Sequence, residues 1–173
     1  NPGGNADNFS WENGQNLTGD FGSPTNAGDS FFFLESNFDA ASSGGVQDVV
    51  HDVLDGDLIA NPGQVFQSLS IYFYGDNSIT DPATTGLNSV EAAFDMTVTS
   101  GSTYTGDVDY LNSAPGAGYW SDYDTLYFPL PYLQNLHMTI DGNVIALSDG
   151  QGGTASITAN TATFKVIVDV VPE

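Results

Sequence analysis

Apolar residues recur at every second position over most of the chain. Val65, Leu69, Ile71 and Phe73 alternate with Phe66, Ser68, Ser70 and Tyr72. Val90, Ala92, Phe94, Met96 and Val98 oppose Glu91, Asp95, Thr97 and Thr99, and Phe164, Val166, Val168 and Val170 oppose Lys165 and Asp169. A period of two with one apolar and one polar face predicts strands buried on one side. Further strands are predicted over 30–35, 53–60, 126–130 and 154–159. The stretch LHMTIDGNVIAL predicts a hairpin, with Leu136, Met138 and Ile140 leading into a tight turn at Asp141-Gly142 and residues 144–147 returning. The segment VQDVVHDVL carries valines at helical spacing, but its β-branched content and the Asp-Gly-Asp that follows predict a strand.

Turn-forming clusters such as GSPTNAGD, ANPG, TDPATTG, APGAG and SDGQGG separate these segments. Eight to ten strands so divided predict an all-β fold: a two-sheet antiparallel β-sandwich, of jelly-roll type. Residues 1–8, NPGGNADN, read as an N-terminal arm, and residues 9–173 as one sandwich domain. An ordered arm would be held by its own sheet or by a neighbouring molecule.

Charge narrows the partners. The chain of 173 residues has 22 acidic residues, one Lys, no Arg and a formal charge of −21. Nucleic acid and anionic membrane surfaces are bound through Lys and Arg, so neither is an expected partner. No run of 18 apolar residues occurs, so no membrane span is expected in this stretch. Self-repulsion at this charge calls for salt, bound cations or a cationic partner. The near absence of basic residues leaves trypsin-like proteases little to cut, which suits an extracellular setting. With neither an initiator Met nor a signal-like leader, the sequence reads as a processed or a trimmed chain.

There are no cysteines, which removes thiolate metal sites, cysteine nucleophiles and disulfides. Two histidines, His51 and His137, stand far apart, and no Gly-X-Ser-X-Gly elbow is present. A pair of carboxylates can be proposed anywhere in a chain this acidic, so it does not discriminate. Enzymatic catalysis is not expected.

Calcium is the candidate cofactor, because closely spaced Asp on turns and strands can supply the oxygens it needs. The candidate ligands are Asp52, Asp55 and Asp57; Asp107 and Asp109; and Asp122 and Asp124. The two i, i+2 pairs are favoured, since such residues share a strand face; solvated surface Asp is the competing reading. The stretch GYWSDYDTLYFPLPY gathers Tyr119, Trp120, Tyr123, Tyr127, Phe128 and Tyr132 around two Asp. Aromatic faces beside carboxylates suit sugar rings, and Trp120, Tyr119 and Tyr123 are the candidate glycan-binding residues. Half of a strand's aromatics must nevertheless face the core. Phe9 and Trp11, just past the arm, are the candidate assembly residues, through strand addition to the next copy.

The chain closes on Val171, Pro172 and Glu173, which resembles the entry to the Val-Pro-Glu-Pro sorting signal of PEP-CTERM proteins. The opening looks like that of secreted β-proteins of this group: Trp11, Asn13 and Gly14, a turn at Gly22, Ser23 and Pro24, then Asp29, Ser30 and Phe31. ANPGQVFQSLSI and LHMTIDGNVIALSDGQGG are similar to the same group. The resemblance implies an exported protein of the cell surface or biofilm matrix, associated with exopolysaccharide. The expected role is a non-enzymatic structural protein that assembles with copies of itself into filaments through β-strand contacts. The alternative is a polysaccharide-binding β-sandwich module.

Overall fold

The computed structural model describes residues 6–10, 16–20, 28–59, 63–129 and 134–170, with side chains for 38–53, 56–57, 63, 65–129 and 134–159. Ten strands follow in order: β1 (Ala6–Ser10), β2 (Asn16–Asp20), β3 (Gly28–Ser43), β4 (Asp48–Ile59), β5 (Gln64–Thr80), β6 (Ser89–Ser100), β7 (Ser102–Asn112), β8 (Gly116–Tyr127), β9 (Asn135–Leu147) and β10 (Thr154–Val170). One sheet has the order β1-β3-β10-β5-β8 and the other β2-β4-β9-β6-β7.

The last eight strands form a jelly roll. The chain crosses between sheets at nearly every connection, giving two interlocked four-strand sets, β3-β10-β5-β8 and β4-β9-β6-β7. All pairs within these sets are antiparallel, the pattern of a double Greek key. β1 and β2 extend one side of each sheet and join in parallel, to β3 and β4 respectively. Residues 6–8 of the predicted arm therefore lie in β1, in register with Phe31, Phe32 and Phe33.

The core lies between the two sheets and is built from the inward residue of each pleat. On β6 these are Val90, Ala92, Phe94, Met96 and Val98; on β5, Leu69, Ile71 and Phe73. Phe94 stacks on Phe73 with ring centroids 3.7 Å apart and meets Phe38 edge-on at 5.2 Å. Several such aromatic residues dominate the apolar burial that holds the sheets together.

Three predicted boundaries are corrected. Asn135–Leu147 is one strand, with no hairpin turn at Asp141-Gly142. Leu136, Met138, Ile140, Gly142, Val144 and Ala146 all face inward, so the parity of the pleat passes through Asp-Gly unbroken. Gly142 is there for space: a Cβ would lie 2.8 Å from the Phe94 ring and 2.9 Å from Phe38. Likewise VQDVVHDVL and the predicted strand at 53–60 merge into β4, and 154–159 merges with 164–170 into β10.

Candidate functional site

β8 carries the aromatic cluster, and its pleat divides it into two populations. Even-numbered residues point inward and odd-numbered residues outward. Trp120, expected on a glycan-binding face, is 3% exposed and belongs to the core. Its indole stacks on Tyr110 at 5.1 Å, and its Nε1–H donates to the Thr158 carbonyl at 2.8 Å. Phe128 is buried too, edge-on to Tyr104.

The Thr158 carbonyl is available because β10 bulges there. Its register against β5 shifts between Ile157 and Thr161. At a bulge the ladder is interrupted and side chains are re-aimed. The displaced carbonyl turns toward Gly75, where any Cβ would collide with it. The Thr158 hydroxyl takes over the ladder's role and accepts from the Asp76 N–H at 3.0 Å. Below, buried Asn77 donates to the Tyr110 hydroxyl and the Gly118 carbonyl and accepts from Asn112, tying β5 to β7 and β8.

On the outer surface the disturbed pleat leaves an open groove of about 400 Å³, lined by Asp76, Ser78, Tyr119, Ser156 and Thr158 among others. Asp76 and Tyr119 are directly opposite in the ladder, as are Ser78 and Ser156. Tyr119 is 87% exposed. From the groove the exposed residues Tyr123 and Tyr127 continue along β8, at intervals of four residues or roughly 13 Å. Tyr72 on β5 stacks on Tyr123 at 5.1 Å with planes 21° apart, and half-exposed Tyr74 lies beside them. The outer face of this sheet thus carries a tyrosine strip ending in a groove with one carboxylate and three hydroxyls. Stacked faces plus hydroxyl and carboxylate hydrogen bonds are what an amphipathic ring needs.

The structure brings both favoured acidic pairs to one seam but on different faces. Asp122 and Asp124 have inward parity at the β8 edge. There their carboxylates accept from the backbone N–H groups of Asp109 and Asp107, at 3.2 and 3.1 Å. They cap the open edge of β7, a known use of inward-pointing charge. Asp107 and Asp109 face outward on β7, with Asp107, Asp95 and Asp141 side by side across β7, β6 and β9. Partial burial, then repulsion from Asp107 and Asp95, holds the Asp109 carboxyl above its ordinary range.

The third acidic set does not converge. Asp57 has outward parity and bonds His137 Nδ1 at 2.8 Å, whereas Asp52 has the opposite parity; the Asp55 side chain lies outside the described residues. His51 Nε2 bonds Asp141 at 2.6 Å. Among the described residues, no three His, Asp or Glu side chains are arranged to hold a metal ion. Of the assembly candidates, Phe9 lies in β1 opposite Leu34, its side chain outside the described residues, as are Trp11, Tyr132 and the Val171–Glu173 tail.

Sequence reasoning did not single out Asp76, Ser78, Ser156, Thr158, Tyr72 or Tyr74 as site residues. Tyr72 and Tyr74 share the outward parity of Ser70, so periodicity carried that signal. The bulge that gathers the groove left none.

No family model matches the chain, and no curated protein matches its sequence. Among solved structures it is similar to that of infectious bursal disease virus Gx strain, with 15% identity and a TM-score of 0.42, covering 82% of this chain and 32% of that one. It is also similar to the infectious bursal disease virus VP2 subviral particle, with 16% identity and a TM-score of 0.39, covering 83% and 38%. A third is the enzymatically active domain of bacteriophage CBA120 tailspike protein 4, with 12% identity and a TM-score of 0.30, covering 83% and 19%. The chain spans about a third of the first two. Similarity at this level carries no weight for function, and the jelly-roll assignment rests on this chain's own strand order.

Proposed function

We propose that this chain is an exported, non-enzymatic β-sandwich of the cell surface or extracellular matrix that holds polysaccharide on its tyrosine face. The observation that carries the reading is a row of exposed rings, Tyr119, Tyr123 and Tyr127, leading into a groove with a carboxylate and hydroxyls. Tyrosines this exposed contribute little to the core, and a contiguous aromatic strip on a water-facing sheet marks a contact surface. Export is supported by the resemblance to PEP-CTERM proteins and by the acidic, Lys- and Arg-poor composition. The test is retention on insoluble polysaccharides. Tyr119→Ala combined with Tyr123→Ala is expected to abolish retention while leaving the melting temperature nearly unchanged. Retention equal to that of the parent would overturn the reading.

Assembly with copies of itself is the second reading. Two observations favour it: β1 and β2 stand at the ends of their sheets, and Val49 and Val53 are exposed on the part of β4 that precedes the 55–59 stretch paired with β2. Outermost strands offer unpaired backbone for strand addition. The opposite margin is less suited, because Asp122 and Asp124 already occupy β7 backbone donors. In this reading calcium bridges carboxylates of neighbouring copies. Sedimentation of concentrated protein with calcium and with a chelator separates the two: filaments dispersed by the chelator support assembly, and a monomer under both conditions excludes it.

A further inference from the structure

We infer that the groove beside Tyr119 selects an amine-bearing, cationic sugar unit of a polysaccharide over neutral or acidic ones; this rests on the polysaccharide reading above. Three observations carry it.

The first is the state of Asp76. Its backbone N–H is spent on the Thr158 hydroxyl, while its exposed carboxylate receives no hydrogen bond from the described residues. A second exposed carboxylate, Asp39, stands in register with Thr158 on the other side of β10. Two carboxylates therefore flank hydroxyls that act as donors and acceptors alike. The second observation is that no Lys or Arg side chain stands beside Asp76 among the described residues. The only Lys in the chain, Lys165, is in register with Ser70, six residues from Asp76 and roughly 20 Å along the strand. The third is the ring itself. Tyr119 lies directly across the ladder from Asp76, so an ammonium group held by the carboxylate lies within reach of the ring face.

The chemistry discriminates among sugars. A neutral ring seated against Tyr119 would strip water from Asp76 without replacing it with a countercharge. A uronate or sulfated sugar would add repulsion, both locally and from a chain of charge −21. A protonated hexosamine instead supplies N–H donors to the carboxylate, its hydroxyls meet Ser78, Ser156 and Thr158, and its apolar face stacks on Tyr119. The net charge draws such a polymer in, and the groove orients it.

The experiment is calorimetric titration of the intact chain, at fixed ionic strength, with matched-length oligomers of β-1,4-linked glucosamine, N-acetylglucosamine, glucose and galacturonate. Poly-lysine serves as a cation without sugar. The glucosamine oligomer is expected to bind about tenfold or more tightly than its N-acetylated counterpart. Asp76→Asn should remove that preference, Tyr119→Ala should remove binding, and Glu91→Gln on the opposite sheet should change neither. All three positions are on the surface, and a melting curve of each variant checks that the fold is retained. Equal, Tyr119-dependent binding of neutral and cationic oligomers would overturn this inference and leave the polysaccharide reading standing. Glucosamine binding matched by poly-lysine and indifferent to Asp76→Asn would overturn it as bulk charge attraction. Binding of no oligomer would sink both.

Discussion

Gly142 and Gly75 occupy mid-strand positions where glycine normally weakens a sheet. Each is explained by something from another strand arriving where its Cβ would be: the Phe94 and Phe38 rings at Gly142, and the Thr158 carbonyl at Gly75. The first is testable by coupling. Gly142→Ala forces a methyl against Phe94 and is expected to destabilise the protein by about 1–3 kcal/mol in denaturant unfolding. Phe94→Leu clears part of that space, so Gly142→Ala should be markedly milder in that background, a non-additivity expected of touching residues. Additive costs would mean that the clash is not the reason for the glycine. The same logic of arrival from elsewhere explains Trp120, whose indole N–H satisfies a carbonyl that the bulge removes from the ladder.

The strands were legible where both faces of the pleat declared themselves. β5 and β6 alternate apolar and polar residues strictly enough to be read directly. β7 (Ser102–Asn112) was not predicted, because its inward positions include Gly106 and its outward ones Asp and Thr, so the hydrophobic signal is thin. It is a strand because β6 pairs along its whole length and because Asp122 and Asp124 satisfy its other margin. Replacing both with Ala should raise amide hydrogen exchange at Asp107 and Asp109 by about tenfold or more, without affecting β9 amides. Unchanged exchange at those two amides would show that the carboxylates do not protect the edge. The predicted hairpin at 136–147 failed for a related reason. Asp-Gly is a strong turn signal, but the parity of Leu136, Met138, Ile140, Val144 and Ala146 required a continuous strand, and in a buried sheet parity outweighs turn propensity.

Across the whole molecule, acidity sets the conditions under which the fold is most stable. Asp81 and Asp149 knit the loop after β5 to the loop after β9. Asp81 accepts from Thr85 and Gly86 backbone N–H groups, and Asp149 from those of Gln151 and Gly153 and from the Thr85 hydroxyl. These bonds hold both carboxyls below their ordinary value of 3.8. Their stabilisation is present above that value and is lost as pH falls through the lowered folded-state values. Asp109 has the opposite sign. Its folded carboxyl is raised, so its contribution favours the fold at low pH and is lost as pH rises through the folded value. The melting temperature is therefore expected to climb as pH falls from neutrality through the raised Asp109 value, and to fall again once pH drops below 3.8 through the lowered values of Asp81 and Asp149. Asp109→Asn should flatten the climb, and thermal scans across this range with the variant beside the parent are the check. A melting temperature that falls steadily from pH 7 downward would show that Asp109 is not under strain.

The sequence by itself determined that this chain is a β-sandwich with one apolar and one wet face per strand, strongly acidic and without cysteine. Those properties follow from composition and from a period-two pattern that any strand must obey. It also placed aromatics and carboxylates together on one segment. Only the tertiary structure decided which of them meet. The pleat sent Trp120 inward and Tyr119 outward, the sheet edge drew Asp122 and Asp124 onto β7, and the bulge of β10 brought Thr158 into one groove with Asp76 and Tyr119. Parity is local and can be read along a chain, whereas register, edge position and bulges are set by pairing with strands remote in sequence.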